Sequence, residues 1–330
     1  MNGTIIAVEE HWGNPETEKL RDCWIEESGL PGTKNHATRA DNLKRMWDFD
    51  SRIPMMNELG IKKQILSLSS PGVQGIKDRA EAAETARRLN QMQFELMNRF
   101  PGRFLGYANL PMLFPDLAAE ELDYCMRTYG YVGGFTHGHC YGKYFDDPSY
   151  DPFWEVVQAH HALIYIHITD PIPGQNLAVK DYPLLNGPCW SWGVEAATHA
   201  LRLMTGGVFD RFPDATVVLG HMGEGLPYLL GRLNEGTRIV SGTATGTMKK
   251  RFEDYMRENI YITTSGGYYP ETMHCAIQAV GIDRIFYADD YPFANMSLSV
   301  QRFMNCGLAE EDQNKILYQN ILNAIHERQL

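Results

Sequence analysis

At 330 residues, with 44% hydrophobic and 22% charged residues, the chain has the composition of a soluble globular protein with ample material for one large α/β barrel or two ordinary domains. A formal net charge of −11 argues against a nucleic-acid partner, and leaves room for an anionic substrate only through local positive charge from a metal or an arginine. No apolar stretch is long enough to span a bilayer, no signal peptide is recognisable, and the six cysteines are scattered without a CxxC pair, which together read as a cytoplasmic protein with reduced thiols.

The first apolar run, 4–11, ends in Val8-Glu9-Glu10-His11-Trp12. Side chains alternate faces along a strand, so Glu9 and His11 project together while Glu10 points away. A carboxylate and an imidazole side by side at a strand's C-terminal end make half of a divalent-metal site, whose weight depends on further ligands at matching places. The stretch 13–46, which contains His36, reads as a long loop. Further strands are predicted at 62–69, 104–110, 131–137, 163–169, 216–222, 259–265 and 284–290. Between them helical patterns occupy 78–100, 117–129, 151–160, 193–209 and 271–280. Strand cores such as Ile5-Ile6-Ala7-Val8 and Thr216-Val217-Val218-Leu219 are continuous apolar runs, as in parallel strands covered on both faces. Two helices are stopped by a proline just before the next strand, in Arg99-Phe100-Pro101-Gly102 and Arg211-Phe212-Pro213-Asp214. The stretches 141–152 and 171–192 look like lids or subunit contacts.

About eight strands alternating with helices, with no Pro/Gly/Ser-rich linker, predict one (β/α)8 TIM-like barrel domain over 1–330. The alternative, a doubly wound open sheet, normally offers a Gly-rich turn after its first strand, where this chain has Glu-Glu-His-Trp.

A barrel presents its chemistry at the C-terminal ends of its strands. Those ends carry Glu9 and His11 on the first strand, His167 on the fifth, His221 with Glu224 after the sixth and Asp290 after the eighth. Singly, His167 could be a core histidine, His221 and Glu224 a helix-start pair, and Asp290 a turn cap before Pro292. As a set on one rim they point to a metal site. His137 and His139 follow the fourth strand and stand beside the same rim. His160, His161, His199 and His274 fall on predicted helices, where packing or surface roles are expected. Glu, His and Asp ligands without cysteine suit a divalent ion such as Zn²⁺ or Mn²⁺, with positions left for water or substrate.

In this order and on these strands, the residues resemble the amidohydrolase superfamily over essentially the whole chain. The likeness is carried by Glu9-x-His11, the run Leu219-Gly220-His221-Met222-Gly223-Glu224-Gly225-Leu226-Pro227-Tyr228, Ile262-Thr263-Thr264-Ser265-Gly266 and Asp290-Tyr291-Pro292-Phe293. The branch it resembles is the metal-dependent, non-oxidative decarboxylases related to aminocarboxymuconate-semialdehyde decarboxylase. Glu-x-His, where many members have His-x-His, points to the hydroxybenzoate decarboxylases within it, which act on γ-resorcylate, 2,3-dihydroxybenzoate or 5-carboxyvanillate. The run Ser69-Ser70-Pro71-Gly72-Val73-Gln74 and the Asp-Tyr-Pro ending favour the last two. The resemblance implies Glu9, His11, His167 and Asp290 as metal ligands and His221 with Glu224 as a hydrogen-bonded pair beside the reacting ring. It implies Arg232 as a residue reaching a neighbouring subunit's pocket, hence a homodimer or homotetramer. Asp289, Ala294 and His137 depart from the pattern and bear on substrate identity.

Removing CO₂ from an aromatic ring as a free aryl anion is prohibitively costly, so the ring carbon must be protonated first. An ortho hydroxyl feeds electron density into that carbon, and a divalent metal binding phenolate and carboxylate orients the ring. Asp290 is the candidate proton donor, which requires its pKa to rise when the anionic substrate arrives. His221, oriented by Glu224, would hold the hydroxyl or pass a proton, and Trp12, Trp190, Trp192, Phe293 and His137 would wall the pocket for a small aromatic carboxylic acid. No organic cofactor is called for. A metal-dependent hydrolase or hydratase on the same ligands, and a metal-stabilised barrel without catalysis, are the competing readings.

Overall fold

The computed structural model describes residues 4–28, 39–172, 174, 177–179, 181–240 and 248–326. The alternating apolar runs form eight parallel strands: β1 (Ile5–Trp12), β2 (Ile61–Leu68), β3 (Phe104–Asn109), β4 (Gly133–His137), β5 (Leu163–His167), β6 (Thr216–Leu219), β7 (Ile260–Thr263) and β8 (Ile285–Phe286). They lie side by side in sequence order, each paired with the next. Backbone bonds across the seam, from Val8 N to Tyr287 O (3.0 Å), Asp290 N to Glu9 O (3.1 Å) and His11 N to Tyr291 O (2.7 Å), close the sheet on itself. The result is the (β/α)8 barrel, and the doubly wound alternative falls away.

Two apolar layers sort by strand face. Ile6, Val8, Ile65, Tyr107, Phe135, Tyr165, Val218 and Phe286 fill the barrel, where Ile321 and Ala324 of the terminal helix Asn320–His326 join them. Ile5, Ala7, Ile164, Ile166, Val217 and Leu219 face outward against Leu89, Leu122, Val157 and Leu203 of the surrounding helices. The helix Arg79–Arg99 starts where the Asp78 side chain accepts from Glu81 N, and it ends at Phe100 ahead of Pro101.

The structure corrects three expectations about elements. The stretch 13–46 is not a loop: it carries the helices Pro15–Ser28 and Arg39–Trp47, and the helix Phe49–Glu58 follows. His36 lies outside the described residues. The helix expected over 193–209 divides into Ser191–Thr205 and Val208–Arg211, because Gly207 takes a left-handed backbone (φ 71°) that a continuing helix does not allow. The sixth strand stops at Leu219, so His221 sits in the short turn His221–Gly223 rather than in the sheet.

β1 contains a register shift between Ala7 and Glu10. Before it the inward residues are Ile6 and Val8; after it they are Glu9 and His11. An extra residue in a strand re-aims the side chains that follow it. This bulge turns two consecutive positions, an apolar one and a carboxylate, into the barrel.

Candidate active site

The residues expected on the rim do come together. One atom each from Glu9, His167, His221 and Asp290 lies within 4.8 Å of all the others, at the C-terminal mouth of the barrel. Glu9 and His11 are wholly buried, and His167 is 6% exposed. Glu9 Oε2 accepts hydrogen bonds from Ser265 Oγ (2.6 Å) and Thr263 Oγ1 (3.1 Å). Its Oε1 has no hydrogen-bond partner among the described residues, although His167 Nε2 is 3.3 Å and His221 Nε2 3.5 Å away. His167 Nε2 likewise lacks a partner of hydrogen-bonding geometry. Two buried polar atoms aimed at one point without a bond are costly unless a further group meets them there, and a carboxylate beside an imidazole nitrogen suits a divalent cation.

His11 is held from behind, its Nδ1 3.1 Å from Ser67 Oγ, and it turns Nε2 to Asp290 Oδ1 at 3.1 Å. His221 is anchored differently. Its Nδ1 lies 2.6 Å from Glu224 Oε1, and its Nε2 faces Glu9 and, at 3.8 Å, Asp290 Oδ2. Six described non-glycine residues have a positive φ, and three of them are His221 (46°), Glu224 (54°) and Asp290 (62°). Such conformations cost energy and persist where the surroundings hold them, here so that these side chains meet over the barrel axis.

The charges sort accordingly. Burial pushes the Asp290 carboxyl up, but hydrogen bonds from His11 and His221 outweigh it and hold the group below its ordinary range. Burial would also raise Glu9; the neighbouring His221 and His167 overrule it and hold it well below. His221 is pulled down by burial and more strongly raised by Glu224 and Glu9, so it stands well above the usual histidine range. His167, desolvated beside His11, is lowered. Taken by themselves, these side chains favour a protonated His221 beside an ionised Asp290.

A cavity of about 460 Å³ opens above the cluster. His167, His221, Glu224 and Asp290 form its floor, with Trp192 and Phe293 on its wall. Trp192 donates Nε1–H to Asp170 Oδ1 (2.6 Å), and Phe293, half exposed, meets the His11 ring edge-on at 5.3 Å.

Other expected wall residues lie elsewhere. Trp12 is on the outward face of β1, buried among the helices, with Nε1–H donated to Gln93 Oε1 (2.5 Å); alternation from His11 requires this. His137 is not in the cavity wall. Buried behind His167, with ring centroids 5.6 Å apart, it points Nε2 at Leu68 O (3.1 Å), and desolvation holds it neutral. His139 is likewise outside the wall, its Nε2 3.1 Å from Asp170 O. Trp190 is exposed and apart from the cavity, as is Arg232 on the outer side of the helix Leu226–Val240.

Sequence reasoning missed two groups of site residues. Trp24, Ile25, Asn42 and Met46, from the unexpected helices over 13–46, roof the cavity. Ser67 orients His11 and Thr263 and Ser265 orient Glu9, and a hydroxyl at the end of an apolar strand was the available signal.

A closed parallel barrel with a Glu, His and Asp cluster at the C-terminal ends of its strands defines the class. The amidohydrolase family model matches residues 17–323, and the chain belongs to that family. It is 38% identical to γ-resorcylate decarboxylase of Polaromonas sp. strain JS666, over 98% of both chains. It superposes with a TM-score of 0.89 and 38% identity on the dihydroxybenzoic acid decarboxylase of Polaromonas sp. JS666 solved with manganese and the inhibitor 2-nitroresorcinol, covering 99% of this chain and 97% of that one. The 5-carboxyvanillate decarboxylase of Novosphingobium aromaticivorans, solved with manganese and 4-hydroxy-3-methoxy-5-nitrobenzoic acid, superposes with a TM-score of 0.91 at 28% identity, over 98% and 96% of the two chains. Identity is higher on the γ-resorcylate side (38%) than on the 5-carboxyvanillate side (28%), against the preference drawn from 69–74 and Asp-Tyr-Pro. Ser69, Ser70 and Pro71 do line the cavity, together with Asp290 and Phe293.

Proposed function

We propose that the protein is a divalent-metal-dependent carboxy-lyase that decarboxylates an ortho-hydroxybenzoate reversibly and without oxidation, with 2,6-dihydroxybenzoate (γ-resorcylate) the first substrate to consider. One observation carries this reading: the unpartnered Glu9 Oε1 and His167 Nε2 converge with Asp290 on the floor of a cavity sized for an aromatic acid. The γ-resorcylate decarboxylase likeness and the manganese in two solved relatives support it. We assign Glu9, His11, His167 and Asp290 as ligands of Zn²⁺ or Mn²⁺. His11 is wholly buried and steadied at Nδ1 by Ser67, as metal-binding histidines are, whereas His221 lines the cavity and carries a carboxylate on Nδ1, the arrangement of a proton-handling pair. The ion would hold the substrate's carboxylate and phenolate oxygens and stabilise negative charge there.

The protein's own residues do the rest. Asp290, ionised before substrate binds, receives a proton from His221 Nε2 as the anionic substrate arrives and delivers it to the ring carbon that bears the carboxylate. The C–C bond then breaks, its electron pair restores the aromatic ring, and CO₂ leaves. Glu224 holds His221 in place for the transfer, and Trp192 and Phe293 flank the ring.

The exposed Tyr228 (82%), Leu229 and Arg232 on one side of the helix Leu226–Val240 support a homodimer or homotetramer in which Arg232 reaches a neighbouring pocket. Six cysteines without disulfides support a cytoplasmic location, and the whole length 1–330 acts as one domain. Incubation with 2,6-dihydroxybenzoate, 2,3-dihydroxybenzoate, 5-carboxyvanillate and a lactone panel tests the assignment. CO₂ with the matching phenol from at least one acid is expected; water addition or lactone opening without CO₂ supports the hydrolase or hydratase reading.

A further inference from the structure

Behind the ligands, on the outward side of β1, lies a buried charged cluster with no part in the chemistry above. Arg52, Glu10 and Asp289 are each fully buried. Arg52, from the helix Phe49–Glu58, donates Nε–H to Gln64 Oε1 (2.7 Å) and Nη1–H to the carbonyl of His11 (2.8 Å). Its Nη2 lies 3.8 Å from Glu10 Oε2, which accepts from Gln64 Nε2 (3.0 Å), and its guanidinium stacks over the Tyr291 ring at 4.4 Å. Glu10 Oε1 accepts the backbone N–H of Asp289 (3.0 Å), and Asp289 Oδ1 accepts from Tyr287 OH (2.6 Å).

This chain of bonds starts at the backbone of His11 and ends at the residue before Asp290. It therefore ties together ligand-bearing positions on the first and last strands, across the seam where the barrel closes. The seam needs such a tie, because β8 is only two residues long and Asp290 lies beyond it with a left-handed backbone. A buried set of ionisable side chains gives little stability over apolar packing, so its presence at the seam points to placement.

We propose that Arg52, acting through Glu10 and Asp289, is a positioning residue that sets the separation of His11 and Asp290 and thereby the affinity for the metal. The inference rests on the metal assignment above. It also accounts for the buried carboxylate of Asp289, which completes a network that reaches from β1 to Tyr287. Lysine cannot reproduce the network, since its three donors radiate from a single atom and it has no planar face to stack on Tyr291, whereas Arg52 donates from Nε and Nη1 separately.

The test is Mn²⁺ binding to the full chain, stripped by chelation and titrated while free Mn²⁺ is followed by electron paramagnetic resonance. The unaltered chain, Arg52→Lys and Glu10→Gln are compared, each well below its own melting temperature and shown folded by circular dichroism. Removal of outer partners typically weakens metal binding about 10- to 100-fold, and at least a tenfold weaker dissociation constant is expected for Arg52→Lys. Glu10→Gln is expected to weaken it in the same direction and to add little in the double variant. If Arg52→Lys does not fold, Glu10→Gln decides alone. A lower melting temperature with unchanged Mn²⁺ affinity and lineshape in a folded variant overturns the proposal, because the cluster then only supports the fold. If the unaltered chain does not bind Mn²⁺, the same comparison is made with Zn²⁺ by equilibrium dialysis; failure to bind either ion overturns the metal assignment, and this proposal with it.

Discussion

Asp290 meets His11 through Oδ1 and His221 through Oδ2, and it leaves the extended backbone to do so. Both contacts favour the carboxylate over the acid, so in the proposed reaction its proton comes from His221. Asp290→Asn is expected to keep the fold and part of the metal while lowering turnover by about 10² to 10⁴, the usual weight of a positioned acid; CO₂ release near the unaltered rate would remove Asp290 from the role. The ligand assignment separates two histidines, His221 within the compact group with Glu9, His167 and Asp290, and His11, which meets that group at Asp290 Oδ1 (3.1 Å). His11→Ala should lose bound metal, whereas His221→Asn should retain it with little activity, and metal analysis of the two purified variants distinguishes them. Glu195 is a different case, a buried carboxyl away from the metal ligands whose oxygens have no hydrogen-bond partner among the described residues. Burial pushes it up to about 8 from an ordinary 4.5. The folded state thus favours the neutral acid, a stabilisation fully present below about pH 4.5 and lost as pH rises through 8. Glu195→Gln should therefore gain melting temperature relative to the unaltered chain between pH 5 and pH 9, and a difference that does not change with pH would refute the burial argument. At this scale, the rim residues Glu9, His11, His167, His221 and Asp290 were legible because each is an ionisable group ending an apolar run. His137 and Trp12 were misplaced because proximity in sequence to a strand end does not reveal which face a side chain takes.

All eight strands could be anticipated, since continuous apolar cores bounded by turn residues have few other uses in a soluble chain. The helices over 13–46 could not. Among its described side chains the helix Pro15–Ser28 buries only Thr17, Trp24 and Ile25, with Leu20 partly buried, so its apolar stripe is too thin to register as a period. The bulge in β1 was equally invisible, because it leaves the composition of the strand unchanged. β4 and β5 show how tightly the elements set the site. Their pairing runs from Gly133 against Leu163 to His137 against His167. A Cβ at Gly133 would stand 1.9 Å from the Leu163 carbonyl oxygen, a clash only main-chain movement relieves. Gly133→Ala is expected to cost about 3 kcal/mol by denaturant titration and to weaken metal binding by shifting His167; a cost under about 0.5 kcal/mol would show that the strand pair yields easily.

For the whole molecule, a net charge of −11 sets a general repulsion against an anionic substrate, which a divalent ion, His221 and the Arg21 that lines the cavity offset locally. Arg232, outside its own cavity, adds positive charge to a site only if a neighbouring subunit uses it. Arg232→Ala and Asp290→Asn chains, each nearly inactive alone, should then recover activity when unfolded and refolded together, because mixed oligomers contain a pocket with both residues intact; no recovery would place Arg232 outside the site. The central claim, that the rim cluster holds a metal used to release CO₂ from a hydroxybenzoate, is tested most directly by giving 2,6-dihydroxybenzoate to chelator-stripped protein before and after one equivalent of Mn²⁺ or Zn²⁺ per chain is restored. No reaction is expected from the stripped protein, and equal amounts of CO₂ and resorcinol once the ion is returned. Equal release with and without metal, or metal binding without any CO₂ from 2,6-dihydroxybenzoate or another ortho-hydroxybenzoate, would contradict it.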